Sequence, residues 1–384
     1  YRTDGYLKLL GVFGNETKSE ERLLTQRWII DQCKFFVEEY GVDGFRIDLA
    51  GLTDKQTLLA LRAALGPDII LYGEPWIDSS DPHFQNNPDW DWYKADAPIT
   101  YFDDDFRNAV HGPPSAPKDK LKDRGYAGGN RERENAKRAI AANFPTEHTP
   151  VSGINYMDIH DDWAMADRYA QEDWDGRKGV DEGPFKIASA MLFTALGPIV
   201  LHGGTEMMRS KASAPLEEVV KHTRSGPIYL HGKRDTYNLA KANEFEWANK
   251  GKRRSTEASA NDYDNMYQYW RGLIALRNSE AGAVCRLAEK PAADYLKWFE
   301  PENVSLLGYM IGERLLVLVN TDTRAGMFEH IALPANSSWK LIANEERVEP
   351  EKGLAGKKDS RLRAEAILQP EVPAQSVKIW IREH

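Results

Sequence analysis

Between residues 22 and 73 the chain alternates helix and strand signals, and this rhythm restricts the fold more than any other feature. Ile29, Cys33, Phe36, Val37 and Tyr40 recur at three- and four-residue spacing, which predicts an amphipathic helix over 22–40. An apolar strand is expected at 42–48, a second helix at 54–65 halted by Gly66-Pro67, and a second strand at 69–72 running into Gly73-Glu74. Looser strand signals follow at 98–102, 154–159 and 198–201, the last after an apolar helix at 185–196. Strands connected through helices in this way lie parallel in one sheet, so the class is α/β.

Beyond the helix expected at 262–278 the pattern changes to short strand signals, at 295–300, 304–310, 315–320, 328–333, 339–343 and 377–382. This reads as two domains, 1–288 of α/β type and 289–384 of all-β sandwich type. Polar stretches at 78–97, 112–133 and 209–234 are long for simple connections, and loops of that length usually build a site. The 59 acidic and 50 basic residues give a formal charge of −9, which disfavours nucleic acid and anionic membranes as partners. No apolar run is long enough to span a bilayer and no signal-peptide pattern opens the chain, which leaves the compartment unknown. Two cysteines, Cys33 and Cys285, are expected as separate buried thiols.

Side chains alternate along a strand, so in Gly44-Phe45-Arg46-Ile47-Asp48 the apolar Phe45 and Ile47 share one face while Arg46 and Asp48 share the other. Asp48 then stands at the C-terminal end of a parallel strand, where sites in α/β folds lie. Glu74 closes the next strand, and Asp161 and Asp162 follow a third. Acidic groups closing three strands suit glycosidic bond cleavage, which needs one carboxylate at carbon and another to protonate the leaving oxygen. Arg46 beside Asp48 keeps it ionised, as a nucleophile requires. Each residue also has a plainer reading. Arg46 and Asp48 suit a structural ion pair, and His160 suits a hydrogen-bonded core position better than a metal site, since no second histidine stands at ligand spacing. Trp76, Trp90, Trp92 and Trp163 either fill core space or offer stacking faces to sugars.

Together these residues resemble the α-amylase clan, glycoside hydrolase family 13, and within it the type I pullulanase and isoamylase branch. The strand Gly44-Phe45-Arg46-Ile47-Asp48, the strand end Gly73-Glu74 and the pair His160-Asp161 are similar to the clan's nucleophile, acid/base and stabiliser signatures, in the same order. The resemblance implies Asp48 as nucleophile, Glu74 as general acid/base and Asp161 as transition-state stabiliser, with Arg46 and His160 holding the sugar. It places Asn15 of Gly14-Asn15-Glu16 and Trp76 of Tyr72-Gly73-Glu74-Pro75-Trp76 among the substrate contacts. Phe102-Asp103-Asp104-Asp105-Phe106-Arg107 and His202-Gly203-Gly204-Thr205-Glu206-Met207 also resemble clan signatures. Asp162 replaces the asparagine usual after the stabiliser. Tyr237 and Asn243 keep part of a debranching loop that carries Lys241 where an acid is usual.

The implied fold is the C-terminal part of a (β/α)8 TIM-type barrel, strands 4 to 8, followed by the sandwich domain. The chain begins at Tyr1, just before the fourth strand, so a missing N-terminal portion is expected, supplied elsewhere or by a separate chain. The implied function is retaining hydrolysis of α-1,6 branch linkages in an α-glucan. The alternatives are an α-1,4-acting amylase or transglycosylase of the clan, or a glucan-binding protein without catalysis. No cofactor is expected: calcium occurs in the clan, but no oxygen-ligand loop of recognisable spacing is present.

Overall fold

The computed structural model describes residues 19, 22–76, 84–94, 99–114, 123–144, 153–212, 219–223, 226–230, 239–254, 259–356, 359–364 and 368–383. Internal contacts divide them into two compact units, the first within Tyr1–Asp103, Asn143–Ile154 and Ala288–Lys290, the second within Asp104–Ala142, Asn155–Leu287 and Pro291–His384.

In the first unit, α1 (Leu23–Tyr40) ends where Gly41 turns left-handed at φ 64° and its N–H bonds back to the Val37 carbonyl. Strand β1 (Gly44–Ile47) follows, then α2 (Lys55–Leu65), whose N-cap Asp54 accepts from the Thr57 N–H at 2.8 Å. β2 (Ile70–Gly73) pairs parallel with β1, Arg46 opposite Tyr72. After the short α3 (Trp90–Lys94), β3 (Thr100–Asp103) pairs parallel with β2, and β4 (Ile154–Asn155) completes the order β1-β2-β3-β4. Ala50, Leu58, Leu61, Leu71, Tyr93 and Tyr101 form the core, with Phe45 and Ile47 against it, so Arg46 is on the opposite face as the alternation predicts.

The second unit holds α4 (Asp104–Val110), α5 (Arg133–Ala141), α6 (Met165–Arg168), α7 (Glu182–Thr194), the antiparallel pair β5 (Val219–Thr223) and β6 (Gly226–Leu230), and α8 (Tyr263–Asn278). The C-terminal strands are β7 (Leu296–Phe299), β8 (Leu306–Ile311), β9 (Leu315–Asn320), β10 (Gly326–Met327), β11 (Ser338–Ala343), β12 (Arg361–Arg363), β13 (Glu371–Val372) and β14 (Ser376–Arg382). Six make an antiparallel sheet in the order β12-β11-β14-β9-β8-β7, while β10 pairs with β13. Leu316, Leu318, Phe328, Trp339, Leu341 and Trp380 fill the core of this region.

The strands expected at 154–159 and 198–201 shrink in the structure. Asn155 bonds through its N–H to the Pro198 carbonyl and through its carbonyl to the Val200 N–H, forming one parallel bridge with Ile199. The chain then leaves the ladder, because the Asp158 side chain takes up the Met165 N–H at 2.9 Å and the Thr205 hydroxyl at 2.9 Å. Likewise 328–333 is not a strand: His330 adopts a left-handed backbone, φ 60°, which ends extended pairing. Both cysteines are free. Cys285 is buried, and desolvation pushes its thiol up to about 12, whereas Cys33 is only half-buried.

Candidate active site

The predicted site residues fall into two groups, one in each unit. In the first, Arg46 reaches two carboxylates at once: one terminal nitrogen donates to Asp48, the other to Glu74. Asp48 is exposed, its side chain at 71%, while Glu74 is buried at 3%. The second Glu74 oxygen accepts the Leu49 N–H at 2.7 Å. Leu49 sits left-handed, φ 46°, a costly backbone for a branched residue, and turns the chain so that this N–H faces Glu74.

Glycines allow the segments to approach. A Cβ on Gly51 would lie 2.0 Å from the Trp76 carbonyl oxygen, and one on Gly73 2.4 Å from the Ala50 Cβ. The Gly51 N–H closes the contact by bonding the Glu74 carbonyl at 2.9 Å. Trp76, half-buried, stacks on Phe102 with ring centroids 6.4 Å apart. Arg46, Asp48, Glu74 and Trp76 therefore stand together at the ends of β1 and β2.

In the second unit, His160 and Asp161 lie side by side, Nε2 to Oδ2 at 3.4 Å, with Asp162 next in a left-handed turn, φ 54°. Lys211 fixes this turn, its ammonium donating to the carbonyls of His160 and Asp162 at 2.6 Å each. That lysine is wholly buried, and desolvation, helped by the Arg209 charge, brings it down to about 8. Asp167, also wholly buried, accepts from the Ser210 hydroxyl at 2.5 Å, the Lys211 N–H at 2.8 Å and the Gly176 N–H at 2.9 Å. Burial pushes its carboxyl up to about 6 against those donors.

Asn243 is tied to this group at one remove. Its side-chain Oδ1 accepts from Arg209 at 3.3 Å, and Arg209 donates to His202 Nδ1 at 2.8 Å. His202 is drawn down to about 4, mainly by burial and further by the Arg209 and Lys211 charges, so it is a neutral acceptor. Asn15 and Tyr237 lie outside the described residues. Lys211, Arg209, Asp158 and Asp167 were not expected from the sequence. Arg209 and Lys211 do fall in the polar stretch 209–234 expected to build a site, but no spacing marks the four individually, and Lys211 holds residues about fifty positions away. Among the described residues no three His, Cys, Asp or Glu side chains gather as a metal cage.

The described residues thus hold a parallel sheet with acidic side chains beyond its strands, and an antiparallel sheet. The chain's homologues and structural neighbours are pullulanases, debranching enzymes of glycoside hydrolase family 13. It is 29% identical over 348 residues to the pullulanase of Bacillus subtilis (strain 168), an alignment covering 85% of this chain and 42% of that protein. The solved pullulanase from Bacillus acidopullulyticus superposes on 99% of this chain with a TM-score of 0.73 at 22% identity, using 43% of its own length. A pullulanase from Anoxybacillus sp. LM18-11, solved in complex with maltotetraose, covers 98% of this chain and 50% of its own, with a TM-score of 0.68 and 21% identity. The chain thus spans half or less of the length of each of these three proteins. No family model matches it.

Proposed function

We propose that this chain carries the reacting carboxylates of a retaining, pullulanase-type α-glucan hydrolase that cleaves α-1,6 branch linkages, and that it supplies strands 4 to 8 of a (β/α)8 barrel. The observation behind this reading is the shared guanidinium. One Arg46 side chain reaches both Asp48 and Glu74, which makes the two carboxyl groups close neighbours, in keeping with the roughly 5 to 5.5 Å of a retaining pair rather than the wider gap of an inverting one. The exposed Asp48 is the accessible nucleophile, and the buried Glu74 is the acid/base. Asp48 attacks the anomeric carbon as Glu74 protonates the departing oxygen. Water deprotonated by Glu74 then releases the sugar from Asp48. Asp161 stabilises positive charge on the ring, and Trp76 offers an apolar face to the leaving sugar.

The maltotetraose complex of the Anoxybacillus neighbour supports an α-glucan substrate. Pullulan separates the possible linkages, because α-1,6 cleavage yields maltotriose. Asp48→Asn is expected to lower that activity by about a thousandfold or more, the order at which removal of a nucleophile registers. Maltotriose release that survives this substitution undiminished sinks the assignment of Asp48.

A further inference from the structure

Two of the buried polar side chains in the second unit find no hydrogen-bond partner among the described residues. His111, just after α4, is 3% exposed, and Trp163, two residues past Asp161, is 2% exposed. Neither ring nitrogen of His111 nor the indole Nε1 of Trp163 has a hydrogen-bond partner among the described residues. The Gly112 backbone gives the imidazole only a polar contact that falls short of hydrogen-bond geometry. Native proteins leave few such groups dry, so an orphaned pair in one place calls for a ligand or a water.

Both side chains line a single cleft, together with Asp161 and Asp162. The cleft encloses about 270 Å³ counting its open mouth, and its interior admits a group no larger than a water or a hydroxyl. The wall chemistry narrows the choice. Burial, with the nearby Arg168 and Arg107 charges, pulls His111 well below the ordinary imidazole range, so it offers one donor and one acceptor, and the indole offers one donor. An anion is disfavoured, since Asp161 and Asp162 share the wall and both arginines are engaged elsewhere. Arg107 is held by Tyr156 and Asp104, and Arg168 by the carbonyls of Pro113 and Asp123. An ammonium has no acceptor for the indole N–H, and a methyl group meets neither side chain. A hydroxyl meets both.

We infer that this cleft is a specificity subsite for one neutral hydroxyl of the glucan, held between the His111 imidazole and the Trp163 indole beside Asp161. It rests on the α-glucan reading above. The loss expected without the indole donor is that of a hydroxyl facing an unpaired buried group.

The test is a calorimetric titration of the full chain with maltotriose and its monodeoxy analogues, in wild type and in Trp163→Phe, which deletes the N–H and keeps a ring. Trp163→Phe is expected to weaken maltotriose about 5- to 50-fold. One monodeoxy analogue should bind wild type comparably weakly, and the two losses should not add. If Trp163→Phe does not fold, His111→Gln takes its place in the cycle. Wild type that binds maltotriose, with additive or absent losses for every analogue, overturns the subsite alone and leaves the cleft a water site. Wild type that binds no maltotriose overturns the α-glucan reading and the subsite with it.

Discussion

In α1 the apolar residues Leu23, Leu24, Trp28 and Tyr40 are 60 to 83% exposed, whereas in α7 every residue from Pro184 to Thr194 is buried. Both helices belong to the same helix-and-strand rhythm, yet they are covered very differently. α1 packs on α2, and β1 has one strand neighbour among the described residues, with all four of its residues half-buried. α7 packs on α8 and β14, and Arg277 of α8 donates to the Phe193 and Ala195 carbonyls at its C-terminal end. The two site groups follow suit. Asp48 and Glu74 are held by a half-exposed arginine, while the Asp161 turn is held by a buried lysine within a buried network. Sequence periodicity reports the direction in which an element turns its apolar face; how completely that face is covered depends on residues distant in the chain.

The sharpest way to break this contrast is to truncate one aromatic on each helix. Phe185→Ala in α7 should cost about 3–5 kcal/mol of stability, and Phe36→Ala in α1 less than about 1 kcal/mol, read from denaturant midpoints. Equal costs would mean that α1 is as firmly packed as α7. A smaller effect is expected at Lys211. Lys211→Met leaves the carbonyls of His160 and Asp162 without their donor and should cost about 1–3 kcal/mol. Its second readout is pH. The folded lysine releases its proton near 8 and the unfolded one near 10.5, so the unfolded state holds more protons between these values and the Lys211 contribution to stability rises with pH there. The variant should lack that rise.

The smallest effect sharpens the contrast through acid titration. Asp167 titrates near 6 when folded and near 3.8 when unfolded, so the folded state holds more protons between those values and stability falls as pH rises. His202 works in the opposite sense. It titrates near 4 when folded and near 6.5 when unfolded, so stability rises with pH across that window. His111, held well below the ordinary imidazole range, adds a second rise, so the wild type should gain stability from pH 4 to 6 and His202→Asn should gain less. A His202→Asn profile as steep as the wild type's would place His202 in a wetter setting than its burial indicates.

The first site group was legible in the sequence because its parts are local. Arg46 takes its strand face by alternation, and Asp48 and Glu74 each follow one residue past β1 and β2, whose register sets Ile47 opposite Gly73. The strand run expected to carry Asp161 was misread. Tyr156, Met157 and Ile159 look extended, but the buried Asp158 turns the chain by accepting the Met165 N–H at the start of α6 and the Thr205 hydroxyl. Nothing in the local text of Lys211 or Asp167 marks them as supports, since each acts across some forty to fifty residues on backbone groups that any sequence would possess. The C-terminal sheet was legible wherever strands are long, as at Leu315–Asn320, and misread at Phe328, where a left-handed His330 intervenes.

The contact of Arg46 with both Asp48 and Glu74 has a consequence for charge during the proposed double displacement. Before reaction, Asp48 carries the negative charge and Glu74 the proton. Once the sugar is bonded to Asp48, that carboxyl is a neutral ester and the negative charge has passed to Glu74. Counted with Arg46, the trio is electrically neutral at both stages, and the charge simply changes owner. Because the guanidinium already touches both owners, the counter-ion stays where it is while the charge it balances crosses beneath it.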